Sequence, residues 1–184
     1  RNSTMTKFRR LDWPYVGAMT ALAKRYISNS YTDLDILKYL RAPGGAAFGA
    51  LDESNNLIGF VIGALLPVDA CDPKELQKEG FDHENMFCVG LLVIHEDFRH
   101  FGMGRSLMKM IADPEKCEAV AQVQALYLLV ETDNTEAVQL YTSLGYETLM
   151  SIPNYCKSNP PRDAYLMLYR RGVKELYVTL TILD

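Results

Sequence analysis

The residues with the clearest capacity for chemistry form a short glycine turn with the pattern R-x-x-G-x-G, at residues 99 to 104. An apolar run rich in β-branched residues, residues 87 to 94, precedes the turn and is typical of a buried strand. Met103, Leu107 and Met110 follow at helical spacing. Glycine lets the backbone approach a ligand closely, and the free N–H groups at the start of a helix attract anions. The pattern therefore predicts a pyrophosphate-binding turn between a strand and a helix.

Two interpretations of this turn are open on the sequence alone: it binds an anion, or it is only a tight connection between a strand and a helix. It is not the dinucleotide-binding fingerprint, because no third glycine follows at the required spacing, and no Gly-Lys-Ser/Thr sequence makes it a P-loop. A second strand-to-helix pair follows, with a strand at residues 125–131 and a helix cap at Asn134. This context favours the ligand-binding interpretation.

The remaining elements predict a single domain over residues 1–184 that holds this turn in place. Asp12 and Thr32 stand where helix caps are expected, and Pro14 falls in the first turn of the earlier helix. In order, we expect strand 8–11, helices 12–27 and 32–42, a hairpin of strands 46–52 and 57–66, a polar surface insertion at 67–85, strand 87–94, a helix from 103, strand 125–131, helix 134–144, strand 146–152, a loop at 153–162, strand 163–170 and a C-terminal tail at 171–184. The tail is either an edge strand or an oligomer contact.

The composition excludes several classes of protein. The chain has 184 residues, of which 48% are hydrophobic and 23% charged, as is typical of a soluble globular domain. A net charge of −4 gives no reason to expect a nucleic-acid partner, and neither a membrane-spanning run nor a secretory signal is present. The four cysteines have no close pairing, so we expect neither a metal site nor a disulfide framework. Free thiols suit a reducing compartment, and we expect a cytoplasmic protein, with the nucleus as the alternative.

A second motif strengthens the case for a ligand site. Residues 134–146 read N-x-x-A-x-x-L-Y-x-x-x-G-Y. The two motifs in this order resemble those of the GNAT superfamily of acetyl-CoA-dependent N-acetyltransferases. The resemblance implies an α/β (α+β) fold with a mixed, mostly antiparallel central sheet flanked by helices. It also implies that the strand ending at Ile94 splays away from the strand containing Tyr127 and opens a cleft for acetyl-CoA.

The resemblance assigns roles in this cleft and implies no metal. The backbone of Leu92 and Ile94 would pair with the pantetheine arm, Asn134 would contact the cofactor, and Tyr141 would lie near its sulfur. Tyr141 is then the candidate general acid for the departing thiolate. The alternative is that Tyr141 is only an aromatic side chain that packs in the core on one face of a helix. Asn134 could serve as a helix cap at the same time. The pyrophosphate would be held by consecutive N–H groups of Arg99, His100, Phe101, Gly102, Met103, Gly104 and Arg105.

Two short stretches are similar to substrate loops of the protein N-terminal (Nα) acetyltransferases, relatives of the ribosomal-protein alanine acetyltransferases. One is Ser-Tyr-Thr at 30–32, and the other is Asn-Tyr-Cys at 154–156, where a second tyrosine is common in place of Cys156. In those relatives the loops flank the entering peptide, so Tyr31 and Tyr155 are candidate substrate-positioning residues, with packing as the alternative. The implied partners are a protein N-terminal peptide and an auxiliary subunit that tethers the enzyme to ribosomes.

The catalytic base is where the sequence departs from the family. Relatives often carry a tyrosine at the position of Cys88, or a histidine or glutamate at that of Leu129, and neither is present. Glu131 lies two residues further along and, by strand alternation, on the same face as Leu129. It either reaches the amine through a water molecule or is a solvated carboxylate at the end of a strand.

The missing base bears on the choice of substrate. An α-amine with a pKa of about 8 is about one-tenth neutral at pH 7, whereas a lysine amine with a pKa of about 10.4 is neutral only about once in a few thousand molecules. The missing base therefore disfavours lysine acetylation more than N-terminal acetylation, and it does not separate a peptide from a small amine. Together with the two similar loops, this makes an Nα-acetyltransferase that acts by direct attack in a ternary complex our leading hypothesis. The alternatives are a GNAT enzyme for a small amine, such as a polyamine or amino sugar, and an acyl-CoA-binding regulator without turnover.

Overall fold

A computed structural model describes residues 5–172, which form one seven-stranded sheet with helices on both faces. The strands are β1 (Lys7–Leu11), β2 (Ala46–Leu51), β3 (Leu57–Leu65), β4 (Met86–Ile94), β5 (Ala125–Glu131), β6 (Glu147–Cys156) and β7 (Arg162–Arg170). The helices are α1 (Val16–Tyr26), α2 (Asp33–Arg41), α3 (Pro73–Lys78), α4 (Met103–Ile111) and α5 (Thr135–Ser143). Most of the predicted tail, from residue 173 onward, lies outside the described residues. Within residues 5–172, no helix combines the length and the apolar character needed to cross a bilayer.

The strand order explains where a cleft opens. The strands lie in the order β1-β2-β3-β4-β5-β7-β6, and every neighbouring pair is antiparallel except β4 and β5. The parallel ladder joins only Met86–Cys88 to Ala125–Tyr127. Beyond it, β4 stays paired with β3, and β5 stays paired with β7. The two strands therefore diverge, which confirms the predicted mixed, mostly antiparallel sheet with a splayed pair.

Two apolar cores fix the helices to the sheet. On one face α4 packs through Leu107 and Ile111, and α5 packs through Tyr141. On the other face Met19 of α1 and Ile36 of α2 are fully buried against β3 and β4. Burying one such side chain is worth about 1.5–3 kcal/mol, so these positions hold each helix firmly.

A β-bulge at Gly90 sets the direction of the side chains in β4. The register of β3 against β4 skips this residue, which has no partner in β3. An extra residue in one strand shifts the alternation of all later side chains. Phe87 and Val89 before the bulge, and Leu92 and Ile94 after it, therefore all pack on the α4 face of the sheet.

The segment at 67–85 is more than a surface insertion. It contains α3. It also buries Val68, Leu76 and Phe81 in a third apolar core against the sheet. These apolar residues stand singly among charged ones and show no helical or strand period. The packing therefore could not be read from the pattern.

The first helical segment begins after Asp12 as predicted, but its first turn is not α-helical. A short 3-10 turn, Trp13–Tyr15, comes first, and α1 begins at Val16. Asp12 makes no capping hydrogen bond with its side chain. Pro14 lies in the 3-10 turn, where its missing N–H costs no hydrogen bond.

The predicted loop at 153–162 is wrong at its beginning, because β6 continues through Cys156. The pairing with β7 shifts between Ile152 and Cys156, so the extra residues form an irregular bulge. Asn154 takes a positive φ of 53° there, and its N–H donates to Asp163 Oδ1 at 2.9 Å. That side-chain hydrogen bond holds a conformation that strand propensity alone does not predict.

Candidate active site

The glycine turn has the geometry of an anion site. His100 and Gly102 both take left-handed conformations, with φ of 67° and 81°, and Gly102 is the N-cap of α4. Ser106 N–H donates to Gly102 O at 3.0 Å. The N–H groups of the preceding first-turn residues have no acceptor within the helix, so they point toward the space in front of it. The structure therefore supports the ligand-binding interpretation of the R-x-x-G-x-G pattern.

The arginine that opens the turn serves to hold the turn in place. Arg99 Nε donates to Ile94 O at 3.0 Å, and its guanidinium stacks 4.9 Å from the ring centre of Tyr26. Arg25 stacks on the same ring at 5.1 Å and pairs with Glu96 at 2.6 Å. These contacts tie the turn to α1, so its backbone N–H groups are the part available to an anion.

The turn is also tied to α5. His100 Nδ1 lies 3.1 Å from Glu136 Oε1, and Arg105 Nη2 donates to Ser143 Oγ at 2.6 Å. A Cβ at Gly104 would lie 3.3 Å from Leu140 Cδ2. Glycine at this position therefore brings the first turn of α4 and the α5 helix into close contact.

The edge of β4 that faces the cleft carries the two predicted backbone groups. His95 N–H donates to Ile58 O of β3 at 2.8 Å. Because alternate residues of a strand bond on opposite sides, the N–H groups of Leu92 and Ile94 point away from β3, into the cleft. The carbonyl of Ile94 already accepts from Arg99, so Ile94 offers its N–H.

Asn134 and Tyr141 lie on α5, on the other side of the same cleft. Asn134 Oδ1 accepts from Ala137 N at 3.3 Å, which confirms the helix cap; a contact with the cofactor stays a prediction. Tyr141 is 9% exposed, and its ring centre lies 6.0 Å from that of Tyr146. Burial raises the pKa of Tyr141 to about 12, so its hydroxyl is protonated at neutral pH and can donate a hydrogen bond.

Three tyrosines converge on the opposite face of the sheet. Tyr31 comes from the connection between α1 and α2, Tyr39 from α2, and Tyr155 from the end of β6. Burial is the main cause that raises the pKa of each, and the proximity of Tyr31 raises the pKa of the other two further. The structure thus brings the two predicted substrate residues together. A pocket of about 240 Å³ beside α2 is lined by Ser30, Tyr31, Asp35, Lys38 and Tyr39.

Sequence reasoning missed Tyr39, although a signal for it was present. A Cβ at Gly90 would lie 2.2 Å from ring atoms of Tyr39, so the bulge of β4 and this ring pack directly against each other. A glycine in the middle of an apolar strand marks a bulge or a close approach of another group. The partner of that glycine is set by the packing of α2 on the sheet and is absent from any local pattern.

Cys88 and Tyr127 form the floor where β4 and β5 separate. They are paired with each other in the parallel register. Burial raises the pKa of Cys88 to about 11, so the side chain is a neutral thiol near pH 7. A neutral thiol is a poor nucleophile, which disfavours transfer of an acetyl group through Cys88.

Glu131 is engaged in an ion pair. Its Oε2 accepts from Arg162 Nη1 at 2.6 Å, and the carboxylate also contributes, after burial, to raising the pKa of the Cys156 thiol. The contact with Arg162 favours the interpretation of Glu131 as a strand-end carboxylate. Its role as a catalytic base through a water molecule stays a prediction.

The buried phenols make the fold sensitive to alkali. The ordinary tyrosine pKa is about 10, so above that pH the unfolded chain holds fewer protons than the folded protein, and stability falls as pH rises. We expect the free energy of unfolding, measured by urea titration, to be constant up to about pH 9.5 and to decline from there to about pH 11.5. A constant free energy of unfolding over that range would contradict the raised pKa values of the tyrosines. Burial is the main cause of a raised pKa for Tyr31, Tyr39, Tyr127, Tyr141, Tyr146 and Tyr155.

Within residues 5–172, no group of three or more His, Cys, Asp or Glu side chains is arranged to hold a metal ion. The four cysteines, Cys71, Cys88, Cys117 and Cys156, are all free thiols.

A helix that opens with a glycine turn lies beside a splayed parallel strand pair in an otherwise antiparallel sheet, as the two sequence motifs predict. Residues 7–146 match the model of the acetyltransferase (GNAT) family, so the chain belongs to this family. The described chain therefore carries a GNAT acetyltransferase domain.

Solved structures with this fold include several acetyltransferases. The NatC complex bound to Gag peptide and CoA is 17% identical, with a TM-score of 0.71 over 91% of this chain and 99% of that chain. Arabidopsis thaliana NAA60 with a bisubstrate analogue is 16% identical, with a TM-score of 0.74 over 91% and 100%. The Escherichia coli ribosomal-protein-S18-alanine N-acetyltransferase is 17% identical, with a TM-score of 0.70 over 92% and 97%. These likenesses show a shared fold.

A curated relative matches a shorter part of the chain. An uncharacterized protein of Mycobacterium leprae is 35% identical over 79 residues, which are 43% of this chain. The chain spans about 20% of the length of that relative.

The residues of the cleft fit acetyl-CoA, which supplies the acetyl group as an activated thioester. The unpartnered N–H groups at the start of α4 suit its pyrophosphate, and the free N–H groups of Leu92 and Ile94 suit the amide groups of its pantetheine arm. Asn134 and Tyr141 complete the set of residues that we propose to hold it. Tyr141, which is 9% exposed and protonated at neutral pH, is the residue that the resemblance predicts to donate a hydrogen bond to a sulfur anion.

Proposed function

We propose that this N-acetyltransferase acetylates the α-amine of protein N-termini. The observation that carries the proposal is the convergence of Tyr31 and Tyr155, from two separate elements, on the face of the sheet opposite α4. Phenol hydroxyls can donate to and accept from peptide groups, and their rings can pack on an extended chain. Tyr155 is 41% exposed, so part of its side chain is accessible to such a chain.

The similar solved structures support this choice of acceptor. One of them is bound to a peptide and CoA, and another is an alanine N-acetyltransferase of a ribosomal protein. The chemistry of the amine supports it too, because an α-amine is about one-tenth neutral at pH 7 and needs less help to lose a proton than a lysine amine does.

The proposal includes a setting for the reaction. We place the enzyme in the cytoplasm, where nascent N-termini emerge, with an auxiliary subunit that tethers it to ribosomes. Three large apolar side chains on the α1 and α2 side of the molecule are exposed and available to such a subunit: Trp13 at 57%, Ile27 at 46% and Leu34 at 70%.

The test is release of free CoA thiol from acetyl-CoA in the presence of a panel of amines. The panel contains peptides with free N-termini, lysine peptides with blocked N-termini, polyamines and amino sugars. Turnover confined to free N-termini supports the proposal. Turnover confined to small amines overturns it, and binding of acetyl-CoA without turnover on any amine identifies the protein as a regulator.

Variants of the two tyrosines sharpen this test. We expect Tyr31→Phe and Tyr155→Phe each to raise the KM for a peptide by roughly three- to tenfold, since one hydrogen bond contributes about 0.5–1.5 kcal/mol, with no change in the KM for acetyl-CoA. Tyr15→Phe is the matched control, because Tyr15 stacks with Arg9 away from the pocket. Equal peptide KM values for all three variants and the parent enzyme would assign Tyr31 and Tyr155 to packing.

A further inference from the structure

An amine must lose a proton when it becomes an amide, and none of the residues predicted at the strand positions is placed to accept it. Cys88 is a buried neutral thiol, and Leu129 has no polar atom. The carboxylate of Glu131 is held by Arg162 at 2.6 Å. A carboxylate on another element that has no such cationic partner is better able to contact the amine directly.

The segment after β3 is fixed at the point where β4 and β5 diverge. The hydroxyl of Tyr127, on β5, donates to Leu66 O at 3.0 Å and to Pro67 O at 3.1 Å. Val68 is 2% exposed, and its N–H donates to His83 O at 3.1 Å. The backbone that enters the segment at 67–85 is thus anchored to the floor of the acceptor site.

Asp69 follows directly after this anchor and offers a free carboxylate. It is exposed, and among residues 5–172 no Lys, Arg or His nitrogen lies within 4.0 Å of it. Its charge reaches residues on three strands. After burial, it is the largest cause that raises the pKa of Tyr155, and it also adds to the raised pKa values of Cys88 and Tyr127.

We propose that the Asp69 carboxylate binds the acceptor amine and accepts its proton during acetyl transfer. The hydrogen bonds to Tyr127 and His83 hold residues 66–68, and with them the backbone that enters Asp69, against the point where Cys88 and Tyr127 are paired. The inference rests on the proposed function in one respect: the amine reaches the thioester from the face that carries Tyr31 and Tyr155.

The step balances with the groups present. The lone pair of the neutral amine attacks the thioester carbonyl carbon, a C–N bond forms, and the carbonyl electron pair moves to oxygen. The nitrogen becomes cationic and much more acidic, so a carboxylate can take one N–H proton. The oxygen electron pair then re-forms the carbonyl, the C–S bond breaks, and the sulfur leaves as a thiolate. Asp69 passes its proton to solvent.

The experiment compares three variants with the parent enzyme on the full panel of amines. Asp69→Asn keeps the size of the side chain and removes its basicity, and we expect kcat to fall by roughly 100-fold or more with acetyl-CoA affinity unchanged. Asp69→Glu restores a carboxylate and recovers part of that loss. Asp72→Asn is the matched control, because Asp72 is a carboxylate of the same segment that caps α3 by accepting from Lys74 N at 2.9 Å, and asparagine caps equally well.

The outcomes separate this inference from the proposed function. A kcat for Asp69→Asn within twofold of the parent on N-terminal peptides overturns the role of Asp69 and leaves the peptide proposal supported. An equal loss in Asp72→Asn also overturns it, because the effect would then belong to the segment. A loss specific to Asp69→Asn on small amines, with no turnover of peptides, supports Asp69 and overturns the peptide proposal. Absence of turnover by the parent on every amine overturns both.

Discussion

A Tyr141→Phe enzyme is expected to bind acetyl-CoA as the parent does and to turn over on the order of 10²- to 10³-fold more slowly, the usual cost of removing one donor to a developing anion in a shielded site. The ring is 9% exposed, and phenylalanine fills the same space. Steady-state kcat and a separate acetyl-CoA titration by calorimetry measure the two quantities.

The pKa of Tyr141 determines whether its hydroxyl transfers a proton to the thiolate or only donates a hydrogen bond to it. Its value of about 12 lies well above that of a thiol, which is about 8.5, so full proton transfer to a thiolate is unfavourable. A hydrogen bond from the neutral phenol to the sulfur stabilises the leaving group without that transfer. Because the raised pKa keeps Tyr141 protonated, we expect deprotonation of Tyr141 to cause no loss of kcat below about pH 10.

Tyr146→Phe is the matched control for Tyr141. The Tyr146 hydroxyl is buried, without a hydrogen-bond partner in the described part of the chain, and its ring packs against Tyr169. Removing an unsatisfied buried hydroxyl costs no stability. Unchanged kcat in both variants would assign Tyr141 to packing, and a loss confined to Tyr141→Phe establishes the donor.

Gly90→Ala is expected to damage both stability and the acceptor site. The added Cβ would lie 2.2 Å from ring atoms of Tyr39, so the ring or the bulge must move. Overpacking of this kind costs about 1–3 kcal/mol. The midpoint of urea unfolding should fall accordingly, and the KM for the amine should rise because Tyr39 lines the pocket.

Two further variants isolate the cause. Gly17→Ala changes an exposed glycine inside α1 where a Cβ meets nothing within 4 Å, and we expect it to stabilise the protein by about 0.5–1 kcal/mol. Combining Gly90→Ala with Tyr39→Ala removes the clash, so the two changes should be strongly non-additive. If the losses of stability in the two single variants add up in the double variant, the effect of alanine at the bulge has a cause other than the contact with Tyr39.

Local signals in the sequence predicted the cofactor side of the molecule well. The glycine turn, the Asn134 cap and the glycine that ends α5 each depend on a few neighbouring residues, and all three have the predicted backbone; Gly145 takes a φ of 95°. The mixed central sheet was predicted from the family resemblance that the two motifs, in this order, carry. Short-range sequence patterns were therefore sufficient to predict the cofactor side of the site, which is formed by one strand, one turn and one helix.

The acceptor side could not be predicted to the same degree. Tyr39 meets Gly90 across 51 positions of the sequence, and Tyr127 reaches Leu66 across 61. Such contacts depend on how whole elements pack, and no local period encodes them. Asp69 therefore seemed to belong to a polar surface segment until the fold placed that segment beside the splayed strands.

The short parallel ladder also divides the enzyme in two. Residues up to the end of α4 form one half of the sheet with the anion-binding turn, and residues from β5 onward form the other half with Tyr141. Neither piece contains both walls of the cleft, although each is continuous in sequence and internally paired. The connection at residues 112–124 is the natural breakpoint for a split enzyme, in which activity would report only the association of two separately produced fragments.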